Sequence, residues 1–179
     1  MILAMALILI TGISTSGKST IAQELKKRGY EAYDTEHNGI SAWYNKKTGK
    51  RVAEFGEMPE RTEGWLNQHD WRISLEWVAE TSEKAQDKPI FLCGGGANEP
   101  EVRALCDKVI WLKTDETIIR KRVNNQRDHD YGTRPHELAA AIDGNRRKEA
   151  EYREASAIMV DATQPIGQVV KEILAEVQQ

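Results

Sequence analysis

Short apolar runs alternate with longer amphipathic stretches along the chain. Strand candidates are Ala6–Ile10, Tyr30–Tyr33, Pro89–Cys93, Lys108–Leu112 and Ala157–Val160. The most continuous of them lack in–out alternation, as strands buried on both faces of a parallel sheet do. Between them, helical periodicity predicts Lys18–Arg28, Thr62–Asp87, Glu99–Cys106, Thr117–Asn124, Pro135–Ala155 and Ile166–Val177. This order predicts an α/β three-layer sandwich, a five-stranded parallel sheet with helices on both faces and right-handed crossovers. No repeat or low-complexity linker interrupts it, so one domain over 1–179 is expected. Glu36–Arg61 and Asn125–Arg134 fit the alternation poorly and read as irregular structure, the second as a short lid over about 125–135.

The apolar start, Met1–Ile10, is too short to span a bilayer and has neither a preceding positive charge nor a following cleavage site. It reads as a buried strand rather than a leader. Charged residues make up 30% of the chain, and 25 Lys plus Arg stand against 28 Asp plus Glu for a net charge of −3. That balance argues against docking on nucleic acid or an anionic membrane. Cys93 and Cys106 are too few for a disulfide scaffold and lack metal-ligand spacing, which favours a reducing, cytoplasmic setting.

The strongest chemical signal is Gly12-Ile13-Ser14-Thr15-Ser16-Gly17-Lys18-Ser19, followed by Thr20, a complete G-x-x-x-x-G-K-[ST] match between an apolar strand and an amphipathic helix. Gly12 and Gly17 let successive backbone N–H groups surround a phosphate, and the following helix adds its positive end. Lys18 is placed for the β- and γ-phosphates, and the Ser19 hydroxyl for Mg²⁺. The pattern predicts a P-loop that binds a nucleoside triphosphate.

Motor and switch proteins with this loop carry a second strand ending in Asp. Here Ile90–Cys93 runs into Gly94-Gly95-Gly96 instead, and the acids follow the second strand, in Asp34-Thr35-Glu36. Parallel strands open their carboxyl ends into one crevice, which would set Asp34 opposite the P-loop. One carboxylate could take a hydroxyl proton while the other steadies Mg²⁺. Helix capping or a solvated loop is the alternative for both.

Together these residues resemble the P-loop small-molecule kinases, the group of shikimate, gluconate and nucleoside monophosphate kinases. The pattern of the shikimate kinases is nearest. Asp34-x-Glu36 is similar to their D-x-D, Gly56-Glu57 with Arg61 to their G-E-x-x-F-R, and Gly94-Gly95-Gly96-Ala97 to their G-G-G-A. Arg127 and Arg134-Pro135 match their lid spacing, and Tyr152 with Ala157–Asp161 resembles their last helix and strand. The resemblance implies ATP and Mg²⁺ as cofactors, Asp34 as base, and Arg61 on an anionic substrate group. It also implies substrate approach along Gly94, Gly95 and Gly96, Arg127 on adenine, and Arg134 closing on the phosphates. Glu36, in place of the family's second Asp, is assigned to the metal with Ser19. Lys148 aligns with a late substrate arginine, and Glu60 stands where the family has an aromatic.

Trp43, Trp65, Trp71 and Trp77 crowd the acceptor-binding region of about 34–80. Trp65 and Trp71 are candidates to stack on an acceptor ring, with helix packing as the alternative. Between Arg120 and Arg134 five basic groups meet two acids, Asp128 and Asp130, so this segment carries +3 in an acidic chain. Such a segment suits a triphosphate lid. The expected activity is transfer of the ATP γ-phosphate to a small hydroxylated metabolite of shikimate or gluconate type, by a monomer or small homo-oligomer. The alternatives are a nucleoside or nucleoside monophosphate kinase, or an ATPase with no small-molecule acceptor.

Overall fold

The computed structural model describes residues 6–55, 57, 61–85, 88–125 and 133–178. The central sheet contains β1 (Leu7–Thr11), β2 (Glu31–Asp34), β6 (Ile90–Cys93), β7 (Lys108–Lys113) and β8 (Ile158–Asp161), in the order β2-β6-β1-β7-β8. Every pairing is parallel. Successive side chains of β1 feed opposite layers. Ile8 and Ile10 pack with Ile21, Ala22 and Leu25 of α1 (Lys18–Lys27) and with Val169, Val170 and Ile173 of α7 (Ile166–Val177). Leu7 and Leu9 pack on the other face with Val78 and Val102, from α3 (Leu75–Lys84) and α4 (Glu99–Arg103). All five residues of β1 are buried, and each Leu or Ile so placed contributes about 1.5–3 kcal/mol. On that second face, Trp111 of β7 packs with Ile119 and Val123 of α5 (Glu116–Asn125) and with Ile142 and Tyr152 of α6 (Pro135–Glu154). The sandwich with helices on both faces is the architecture that the sequence pattern predicts.

The stretch before the third expected strand differs. In place of irregular chain and one helix over Thr62–Asp87, the structure has a three-stranded antiparallel sheet. Its order is β4 (Arg51–Glu54), β3 (Ser41–Asn45), β5 (His69–Ile73). Only α2 (Glu63–Gln68) and α3 flank β5. Two caps mark the break: the Thr62 hydroxyl accepts from Trp65 N, and the Ser74 hydroxyl accepts from Trp77 N. Between those caps, β5 satisfies its backbone against β3, with Trp43 directly opposite Trp71. The helix expected over Thr62–Asp87 is therefore interrupted at β5, between Trp65 and Trp77. Trp43 instead receives Trp65 and Trp71 edge-on at centroid distances of 4.9 and 5.5 Å. No helix among the described residues is long and apolar enough to cross a membrane.

Candidate active site

The P-loop joins β1 to α1, and its shape follows from its glycines. A Cβ on Gly12 would lie 2.7 Å from Ser16 Oγ. Gly17 caps α1 in the left-handed region at φ 103°, where glycine carries no steric penalty. Lys18 Nζ folds back to donate to Gly12 O at 2.9 Å and Ile13 O at 2.7 Å. Burial pushes the Lys18 ammonium below the ordinary lysine pKa, while the charges of Glu36, Glu99 and Asp34 oppose that shift. From α5, Arg122 donates to Thr15 O and Ser16 O through Nη1, and to Ala162 O through Nη2 at 2.7 Å. One guanidinium thus ties the loop to α5 and to the turn after β8. The arginine itself is held below its usual pKa by burial, with Asp115 opposing.

Two hollows meet at this loop. The larger, about 590 Å³, runs along 14–21 and is walled by Lys121, Arg122, Thr163 and Gln164. The smaller, about 340 Å³, lies between the loop and the antiparallel sheet and is lined by Trp43, Trp71, Gly95, Gly96, Glu99 and Lys148, among others. Ser14, Lys18 and Glu36 line both. The larger hollow fits a triphosphate. The α1 N-terminus has no side-chain cap, and the hydroxyls of Thr15 and Ser16 are buried without a partner among the described residues. No cluster of three or more metal-ligating side chains occurs among the described residues. The oxygen donors that line the larger hollow, the Ser19 hydroxyl and the Glu36 carboxylate, suit Mg²⁺, which protein commonly holds through one or two side chains plus phosphate oxygens and water.

All nine residues from Gly12 to Thr20 line one or both hollows, and Glu36, Gly95, Gly96 and Lys148 join them. Gly94 does not; it is pressed against the Thr35 side chain, which leaves no room for a Cβ. Asp34 is buried and lines neither hollow. Its Oδ1 accepts from Glu36 N at 3.0 Å and His37 N at 3.1 Å, and its Oδ2 sits 3.0 Å from His37 Nδ1. Arg61 is 3% exposed and lies 3.6 Å from Glu137, which also receives Arg134 at 3.2 Å. Trp65 stacks on His69 at 4.1 Å, behind Trp43. Arg127 falls outside the described residues.

Sequence reading overlooks Glu99, the best-connected acid of the site. Its Oε1 accepts from Thr11 Oγ1 (3.1 Å) and Gly96 N (3.2 Å), its Oε2 from Lys148 Nζ and Tyr152 Oη (both 2.7 Å). Burial, then the charge of Glu99, pushes the Tyr152 phenol well above its usual pKa, so it remains a donor. One signal was available: Lys148 and Tyr152 stand four residues apart and so share a face of α6.

The sequence profile of the family described as AAA domain matches residues 8–154. No curated protein sequence matches the chain. Among solved structures, the chain is similar to shikimate kinase from Acinetobacter baumannii in complex with shikimate. The TM-score is 0.64 at 18% identity, covering 96% of this chain and 92% of that one. A gluconokinase from Sinorhizobium meliloti 1021 gives 0.54 at 18%, covering 95% and 90%. Deoxyadenosine kinase from M. mycoides with bound dATP gives 0.53 at 13%, covering 97% and 100%. The fold is that of the P-loop small-molecule kinases, and the profile match over most of its length shows that the chain belongs to the AAA-domain family.

Proposed function

We propose that the protein is a Mg²⁺- and ATP-dependent phosphotransferase acting on a small hydroxylated acceptor. The observation that carries this reading is the shared wall: a phosphate-binding hollow and a second hollow meet at Lys18, Ser14 and Glu36. A triphosphate-driven switch needs only the first of these. The kinase fold of the structural neighbours supports the same reading, as does a third parallel strand that ends in Cys93-Gly94 without a terminal Asp.

In this reading Lys18 and the first-turn N–H groups of α1 bind the phosphates, and Ser19 would hold Mg²⁺ together with phosphate oxygens. When bound, the metal ion neutralises charge on the phosphates. Glu36, which lines both hollows, would receive the acceptor hydroxyl proton. Asp34 acts through it, fixing the 34–38 turn that presents Glu36. This redistributes the roles that the family resemblance implies, in which Asp34 is the base and Glu36 the metal ligand.

Coupled ADP release over cyclic polyols, sugar acids, nucleosides and nucleoside monophosphates tests the reading, and no acceptor-dependent release from any of them would overturn it. With a responding acceptor, Glu36→Gln should lower kcat by about 10²–10⁴-fold with little change in the KM for ATP. Asp34→Asn, whose amide oxygen still accepts the two backbone N–H groups, should lose only about tenfold. The reverse ranking would return the base to Asp34.

A further inference from the structure

We propose that the smaller hollow selects an uncharged ring-bearing acceptor, a nucleoside or a neutral cyclic polyol, and discriminates against carboxylates and phosphomonoesters. This rests on the phosphotransferase reading for the donor side and specifies the acceptor class.

Among the described residues, two cations line the hollow, Lys18 and Lys148. Lys18 is bonded to the loop carbonyls and also lines the triphosphate hollow. Lys148 is already paired at 2.7 Å with Glu99, whose side chain is 6% exposed. The Glu99 carboxylate cannot swing aside to make room for an anion. Its four donors come from β1, the Gly96 backbone and two positions on α6, and together they fill its lone-pair sites. An acid entering beside Lys148 would meet a fixed negative charge, with Glu36 contributing a second. Arg61, the other cation expected to grip an anion, is side-chain buried against Glu137 and lies off the hollow. Repulsion of this kind is how a site rejects a charged competitor that shares its shape with the ligand.

What the hollow does offer suits a neutral ring. Trp43, Phe55, Leu66 and Trp71 supply apolar and aromatic surface, and Ala140 and Ala141 add further apolar surface. Lys148 gives one of its three N–H groups to Glu99 and keeps two for hydroxyl oxygens. Its charge is compensated while its donors remain.

The test uses pairs that share a ring and differ in charge: adenosine and AMP, methyl shikimate and shikimate, glucose and glucuronate. Binding is read by tryptophan fluorescence with a non-hydrolysable ATP analogue present, and turnover by ADP release with ATP. The neutral member should bind at least tenfold more tightly in every pair that binds. The pair with the larger response separates nucleoside from polyol. Glu99→Gln, which releases the Lys148 charge, should reduce the preference at least tenfold. Lys148→Met should weaken neutral binding while keeping neutral above acid, and it decides the matter should Glu99→Gln fail to fold. Equal or tighter binding of the acids, or no binding by any pair, overturns the proposal. Neutral binding without ADP release overturns the phosphotransferase reading and leaves this selectivity standing.

Discussion

Lys18→Ala should fold normally and lose about 10³-fold or more in turnover. Among the described residues it is the one cation lining both hollows, so no neighbour replaces it where transferred charge would develop. The folded state loses little. Burial lowers the pKa of the ammonium, and its hydrogen bonds among the described residues go to backbone carbonyls of its own loop. Thermal unfolding with and without ATP checks both halves. Wild type should gain stability from the nucleotide, and the variant should start from a similar midpoint and gain little. Turnover above a tenth of wild type would remove Lys18 from the chemistry.

Glu137→Ala should destabilise the protein by about 3–5 kcal/mol. Glu137 is 1% exposed and serves Arg61, itself 3% exposed, and Arg134 at the head of α6. Truncation removes a buried carboxylate from beside a desolvated guanidinium, a larger penalty than losing a surface pair. Urea unfolding measures the loss. The double variant Arg61→Met with Glu137→Leu should recover most of it, because an apolar pair of similar volume carries no desolvation cost. A loss under about 1 kcal/mol in the single variant would show that water reaches Arg61.

Local signals made part of this molecule readable in advance. The P-loop is contiguous, and the central strands carry apolar runs that only a doubly covered sheet explains. The antiparallel sheet was hidden because β5 is polar at His69, Asp70 and Arg72 and finds its partner about 28 residues upstream. The spacing of Trp65, His69, Ile73 and Trp77 meanwhile imitates a helix. The caps Thr62 and Ser74 were the available correction. The carboxylates that organise the site left still less trace. Glu99 meets Thr11 across 88 residues and Lys148 across 49, and Glu137 meets an Arg61 that lies far upstream in the chain. Charge partners of that range have no period to detect, so residues typed as ligand-gripping cations by motif turn out to sit beside internal acids.

Because Ser14, Lys18 and Glu36 face both chambers, neither occupant can settle without altering the surroundings of the other. Linkage makes that influence mutual: whatever factor a seated acceptor applies to nucleotide affinity, the nucleotide must return to the acceptor. On the phosphotransferase reading, the arrangement would give this small fold a way to hold back wasteful hydrolysis. On the same reading, the side chains that meet the terminal phosphate would be fully set only with a recipient beside them.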